Sequence, residues 1–277
     1  MALSFIALLL ALALSHAVSE PERLRNFSFF AGIVSWLQRR LPRAPTWLVL
    51  VLALLPLGLS LAALLHLLTF ELLRFALATA VLWWSLGPRE LTHDVDALID
   101  ARTDEQRAQA VERLAGTSAP SADWVALTAT ASVRRWFAPI LWFVLLGPLA
   151  ALLVRLLAHL SDHSTPDMQT LARRILTPIE LPAAWLLVLA LALASHLDAV
   201  FSAAKDAATR RGYFDPTFEF LSEAIHSVAD SAEATSDGFT DEITAQNLPL
   251  ARTINLLQRS LFVWMTVLGL IVLVRAA

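Results

Sequence analysis

The residues best placed to do chemistry are arginines. Arg134 and Arg135 stand directly before the apolar run that starts at Trp136, and Arg155 lies in the second half of that run. Two adjacent guanidinium groups can grip a phosphate or a lipid headgroup through paired N–H donors; anchoring of a membrane helix at its basic flank is the plain alternative. Arg155 is harder to explain as an anchor, because a charge inside an apolar segment needs an opposite charge or a wet cavity. His159, Asp162 and His163 place two imidazoles and a carboxylate within about one helical turn, the elements of an inverted zinc-protease site. That motif has Glu in the acidic place, and Thr165-Pro166 should end any helix directly afterwards, so a polar end to an apolar segment fits better. His93, Asp94 and Asp96, and the acid-rich stretch 237–242, offer oxygen ligands without calcium-loop spacing and are read as solvated faces.

Other chemistry is excluded more simply. The chain has no cysteine, so disulfides, thiolate metal sites and cysteine nucleophiles are absent. Lys205 is the only lysine against twenty arginines, and no glycine-rich phosphate loop precedes it. Neither a nucleophile-elbow serine, nor a dinucleotide fingerprint, nor a spaced carboxylate pair occurs. No catalytic set and no metal set is therefore expected, and the sequence names no cofactor. A net charge of −3 and a pI near 6.2 leave no global basic field that would draw nucleic acid.

The elements that must position these arginines are apolar. Hydrophobic residues make up 57% of the 277 and charged residues 16%, outside ordinary soluble usage. The expected fold class is all-α, a polytopic helical membrane protein with about 5–6 membrane segments and amphipathic cytoplasmic helices. The apolar segments are 2–18, 47–65, 70–86, 136–160, 182–197 and 260–274, with soluble helical insertions at 88–135 and 198–259, all in one membrane domain over 1–277. Ser15-His16-Ala17 resembles a signal-peptide cleavage site, but no Lys or Arg precedes Arg23, so 2–18 is expected to be a retained first span. A hairpin should turn near His66–Glu71, with Glu71 and Arg74 paired or snorkelling. Gly147-Pro148 interrupts 136–160, giving either a kinked crossing or a re-entrant pair of half-helices. Trp47, Trp83, Trp84, Trp136, Trp185 and Trp264 flank apolar runs as interfacial anchors. Under strict alternation, 19–46, 87–135 and 198–259 share one side and hold 16 of the 21 basic residues, which makes that side cytoplasmic.

The polar insertions read as folded helices. Leu91, Val95, Leu98 and Ile99 recur at helical spacing, as do Val111, Leu114 and Ala115. Thr103 and Gln106 form a capping box, Gly116 a stop, and Ser118 to Ser121 a short loop before a helix carrying Trp124 and Leu127. Asp215-Pro216 predicts an N-cap followed by proline at the first helical position, with Phe218, Leu221, Ile225 and Val228 on one stripe. Ser236-Asp237-Gly238 should turn the chain, and Pro249 should open the last helix.

Two stretches carry a family resemblance. Val133-Arg134-Arg135-Trp136-Phe137-Ala138-Pro139-Ile140-Leu141-Trp142-Phe143, then Leu146-Gly147-Pro148-Leu149-Ala150 and Arg155, resemble the AmpE family, whose pattern is an arginine, aromatic residues and an Ala-Pro-Leu-Phe-Trp-like run entering a glycine-rich membrane segment. Leu181-Pro182 opening a span, and Ser195-His196-Leu197-Asp198 after it, are similar in order. The resemblance implies a regulatory inner-membrane protein of a bacterium, multi-pass, associated with a cytoplasmic amidase-linked pathway of cell-wall recycling and with control of β-lactamase expression. A small anionic ligand is expected in a cavity walled by the broken 136–160 segment, at Arg134, Arg135, Trp136, Pro139, Trp142, Gly147, Pro148 and Arg155, with the arginines meeting the anion. AmpE proteins in turn resemble the CobD/CbiB cobinamide-phosphate synthases, and Glu20-Pro21 with Gly32, Trp36 and Leu37 is similar to that family's early loop. Ser132, Val133 and Arg134 stand where the synthase has its acidic–asparagine–aspartate set, Ala158 where it has asparagine, and Ala184 where it has arginine. A divergent ATP-dependent condensing or hydrolysing enzyme is thus the alternative, and one that lacks the family's polar signature.

Overall fold

Long alanine- and leucine-rich stretches with few glycines favour helix throughout, and the computed structural model is helical accordingly. It describes residues 2–17, 25, 27–87, 91–115, 123–195, 197–215, 217–233 and 242–276. No strand occurs among them. In chain order the helices are α1 (Ala2–Ala17), α2 (Ser28–Arg40), α3 (Thr46–Leu67), α4 (Glu71–Ser85), α5 (Leu91–Ile99), α6 (Asp104–Ala115) and α7 (Trp124–Ser132); a π turn (Val133–Phe137) follows. Then come α8 (Ala138–Leu146), α9 (Pro148–His163), α10 (Pro166–Ala194), α11 (Leu197–Arg211), α12 (Glu219–Glu233) and α13 (Glu242–Ala276).

Among the described residues, three helices are long and apolar enough to cross a membrane: α3, α10, and residues Pro249–Val274 of α13. Only 22% and 17% of the apolar windows of α3 and of the α13 stretch are buried within the chain. Helices this apolar and this uncovered suit contact with hydrocarbon rather than water. The other expected spans are short. At 1.5 Å per residue, the 16 residues of α1 reach about 24 Å and the 15 of α4 about 22 Å, against a hydrocarbon core of about 30 Å. Segment 136–160 is no continuous helix: α8 has 9 residues, α9 has 16, and the two pack against each other across the single residue Gly147.

Contacts divide the chain into two compact units. The first comprises 1–89, 134–179 and 275–277. In it α9 packs on α2, α3, α4 and α8, while α1 packs on α4 and α8. Leu8, Phe27, Phe30, Leu82, Ile140, Leu156 and Leu160 fill its core. The hairpin turns where expected, at 68–70, yet α3 and α4 each lean on α9 rather than running along one another. Glu71 and Arg74 are both exposed, as snorkelling requires.

The second unit comprises 90–133 and 180–274, with α12 on α11 and α7, and α5 and α6 on each other and on α7. Leu91, Val95 and Leu98 are buried, and so are Phe218, Leu221, Ile225 and Val228. The capping box forms with one change: Thr103 Oγ1 accepts from the Gln106 N–H at 3.2 Å, and Gln106 Oε1 accepts from Arg102 N–H at 3.1 Å, one residue earlier than the usual box. Trp185 stacks on Phe220 at 4.6 Å, with Tyr213 and Phe201 at its margins.

Several boundaries correct the expectations from sequence. The span expected at 182–197 belongs to a helix that already begins at Pro166 and passes through Pro178 and Pro182, since proline suits a first turn and tertiary packing carries the helix past the later two. The final helix begins at Glu242, with Pro249 inside it. Asp215 does not cap α12, which starts at Glu219. Its carboxylate instead accepts from the Thr217 N–H and hydroxyl in a local turn, and Phe218 takes φ 49°. Trp264 is 8% exposed, so it is a core residue rather than an anchor, whereas Trp47, at 58%, is free to anchor. Glu20-Pro21, Gly116, Ser118 to Ser121, His196, Pro216 and Ser236-Asp237-Gly238 lie outside the described residues.

Asp123 caps α7, accepting from the N–H groups of Val125 and Ala126 at 3.0 and 3.2 Å, and lies 3.3 Å from His226 Nε2 on α12. The hydrogen bond from His226 is the main cause that holds this carboxyl below its ordinary value of 3.8; burial opposes it, and the two backbone N–H groups assist. Its contribution to stability is therefore complete above pH 3.8 and is lost as pH falls through the lower folded value. Asp123→Ala should lower stability by about 1 kcal/mol at neutral pH. Asp123→Asn, which keeps a capping oxygen, should lose less, and its difference from wild type should close below pH 3.8 in thermal melts of the full chain in detergent. A difference that persists in acid would contradict the assignment.

Candidate functional site

The site is organised around Gly87, just past the end of α4. Its N–H donates to the Arg135 carbonyl at 3.2 Å, and its own carbonyl accepts from Arg25 Nη1 at 2.8 Å. A side chain here has no room: a Cβ on Gly87 would fall 2.7 to 2.9 Å from Cγ, Cβ and Cδ of Arg135. Glycine thus lets the stem of Arg135 lie against the backbone while the same residue holds Arg25. The second arm of the Arg25 fork, Nη2, donates to Ser15 Oγ of α1 at 2.8 Å, and the guanidinium carbon sits 4.5 Å from the centre of the Trp83 ring. Cation–π contact of this kind partly replaces lost hydration.

Arg155 approaches from α9. Its guanidinium carbon lies 5.7 Å from the centre of Phe27, whose ring stacks on Trp84 at 4.7 Å and tilts against His159 at 5.9 Å. His159 stacks in turn on His163 at 4.6 Å. Arg135 and Arg25 are like-charge neighbours of Arg155, and Asp162 is an opposite-charge one. The three arginines are 3%, 7% and 8% exposed for Arg25, Arg135 and Arg155. Three nitrogens here are buried without a hydrogen-bond partner among the described residues: Arg155 Nε, His159 Nε2 and Trp83 Nε1. Buried polar atoms in native proteins are nearly always satisfied, so three unpaired nitrogens side by side set this cluster apart from the apolar core around it.

The π turn at Val133–Phe137 bears on this geometry. Such turns are rare, cluster at functional sites and widen the helix by one residue. Here consecutive arginines meet different surroundings, Arg135 buried and Arg134 half-buried.

Of the residues expected at the site, Arg135 and Arg155 are brought together. Trp136 is half-buried beside Arg135, and Pro139 is buried in the first turn of α8. Trp142, Gly147 and Pro148 do scaffold work instead. Trp142 Nε1 donates to the Ile179 carbonyl at 2.9 Å, tying α8 to the first part of α10. Gly147, at φ 88°, makes the turn that folds α9 back on α8, and Pro148 starts α9. Gly147 lies eight residues from Arg155, about 12 Å along α9 at 1.5 Å per residue. Sequence reasoning missed Arg25, Phe27 and Gly87. It treated Trp83 and Trp84 as anchors only, and His159 only as part of a rejected metal motif. Among the described residues no group of three or more His, Cys, Asp or Glu could hold a metal ion; of the candidates at 93–96, Asp94 is buried while His93 and Asp96 are exposed.

No family model, no curated protein and no solved structure matches this chain. The likeness to the AmpE pattern therefore rests on the motif residues themselves.

Because Gly87 is in contact with the fixed part of the Arg135 side chain, Gly87→Ala should cost about 1–3 kcal/mol. It should lower the melting temperature of the detergent-purified chain. Gly32→Ala, where nothing lies within 4 Å of the added carbon, is the control. Equal melting of the two variants would contradict the packing described.

Proposed function

We propose that this chain is a multi-pass protein of a bacterial inner membrane and an AmpE-like modulator of β-lactamase induction and cell-wall recycling, which binds a small anionic ligand. Arg25, Arg135 and Arg155 hold the ligand, and a cytoplasmic amidase-linked pathway reads the result. The observation that carries this reading is the convergence of Arg135 and Arg155, twenty residues apart in sequence, with Arg25 in one buried cluster whose partnerless donors include Arg155 Nε. Arginine forks suit carboxylate and phosphate, and burial strengthens each charge-assisted hydrogen bond. The three long apolar helices support the membrane placement. The fold-back at Gly147 favours the re-entrant form of 136–160, with α1 and α4 completing a set of about 5–6 membrane segments. In this scheme the chain is not an enzyme: it offers no catalytic set, and it lacks the polar residues of the CobD/CbiB-like synthases at Ser132, Val133, Arg134, Ala158 and Ala184.

Arg135→Ala and Arg155→Ala should each abolish the effect of this chain on β-lactam-induced β-lactamase activity in cells, at unchanged membrane levels of the protein. Induction that is indifferent to both substitutions would overturn the proposal. Magnesium-dependent nucleotide turnover by the purified protein would replace it with the enzyme alternative.

A further inference from the structure

Two sides of α2 are apolar. Phe30 and Val34 are buried, on a helix that packs against α3 and α9. Phe29, Ile33 and Trp36, four and then three residues apart, form a second stripe along the outer side, and all three are exposed. Arg40 continues that stripe, its guanidinium carbon 5.8 Å from the centre of the Trp36 ring. Arg39 and Arg43 beside it are exposed as well. Between Phe27 and Phe70 the sequence holds these three arginines and no acidic residue. Gln38 Nε2 donates to Thr165 Oγ1 at 3.0 Å and fastens this end of α2 to the turn before α10. Asp167 stands two residues beyond Thr165, yet none of the three arginines forms an ion pair among the described residues.

We infer that the outer side of α2 docks on the bilayer leaflet at which α3 enters, with Phe29, Ile33 and Trp36 among the upper acyl chains and Arg39, Arg40 and Arg43 on the phosphates of anionic phospholipids. The inference rests on the membrane placement proposed above and takes nothing from the buried arginine cluster. Length argues against a crossing: the 13 residues of α2 reach about 20 Å, against a hydrocarbon core of about 30 Å, so its outer stripe is not that of a span. Position sets the depth. Arg43 lies three residues before Thr46, where α3 begins, and the exposed Trp47 follows, so the arginines stand where a helix apolar enough to cross a membrane starts. Aromatic and basic residues together at such a start suit the headgroup level, the arginine stems lying along apolar surface with their heads at the phosphates. Charge selects the lipid. A choline or ethanolamine head carries its own cation beside the phosphate, whereas an anionic phospholipid brings net negative charge to three arginines that have no carboxylate partner. A second copy of the chain fits poorly, because a two-fold contact through this side would set the same arginines against each other.

The test uses the full chain in phosphatidylcholine nanodiscs that carry, at equal fraction, either phosphatidylglycerol or phosphatidylcholine with brominated acyl chains, which quench tryptophan on contact. The fluorescence of Trp36, taken as the difference between wild type and Trp36→Phe, should be quenched by both lipids. Phosphatidylglycerol should be preferred about five-fold or more, the factor that one arginine near an anionic surface contributes. That preference should fall toward equality at about 1 M salt, where the screening length is about 3 Å. It should fall likewise in the triple variant Arg39→Gln, Arg40→Gln, Arg43→Gln, and the salt series on the wild-type chain decides the matter should that variant not fold. Ile33→Glu should reduce the quenching of Trp36 by both lipids. Quenching by neither lipid would leave the outer side of α2 off the bilayer and overturn the inference. Equal quenching by the two lipids, or a preference unchanged by salt and by the arginine substitutions, would overturn the anionic contact. Flotation of the same chain with lipid vesicles separates the premises: a chain that floats while Trp36 stays unquenched loses this inference alone, and one that does not float loses the membrane placement with it.

Discussion

Burial of guanidinium charge within an apolar helical unit is the constraint that arranges the first half of this protein. Removing a cation from water costs several kcal/mol per ion even after the surroundings relax, and Arg25, Arg135 and Arg155 are all below 10% exposed. The unit meets that cost with polar groups that the backbone supplies and with aromatic faces. Gly87 provides both a carbonyl for Arg25 and the space for Arg135, Ser15 provides a hydroxyl, Trp83 and Phe27 provide ring faces, and Asp162 provides an opposing charge. Four separate pieces of chain, residues 15–27, the end of α4, the π turn and α9, must come together for any of this to work.

The way α9 is placed follows from the same requirement. A continuous helix through 136–160 would carry Arg155 about 30 Å from Arg135 along one axis, at 1.5 Å per residue over twenty residues. Breaking the helix at Gly147, where the positive φ admits glycine readily, folds α9 back on α8 and returns Arg155 to the neighbourhood of Arg135. α9 then packs against α2, α3, α4 and α8, so the helix that brings the charge also organises the unit.

The second unit holds the apolar stretch Pro249–Val274 together with shorter helices of another kind. These shorter helices are amphipathic, capped by side chains such as Asp123 and Thr103, and joined through buried stripes and an aromatic stack on Trp185. Asp94 and Glu180 are buried there, whereas the Arg211–Glu219 pair, at 2.7 Å, lies at the surface. Exposed pairs of that kind add little to stability.

Sequence by itself determined the helical class, the three long apolar helices, the hairpin turn near 66–71, the break at Gly147-Pro148 and the buried stripes of α5 and α12, because each is a local pattern of side-chain period, capping or backbone freedom. It also marked Arg135 and Arg155, since a charge in or beside an apolar run is conspicuous wherever it falls. It did not show that the two meet, nor that Arg25 and Gly87 complete the cluster, because those pairings join residues tens of positions apart and depend on which way α9 turns. Helix limits at Pro166 and Glu242 were likewise decided by packing, which carried helices through Pro182 and Pro249, prolines that local rules treat as starts. Only the tertiary structure placed Arg25 over Trp83 and Arg155 over Phe27, for such a contact is a property of neighbours in space and leaves no trace in the order of residues.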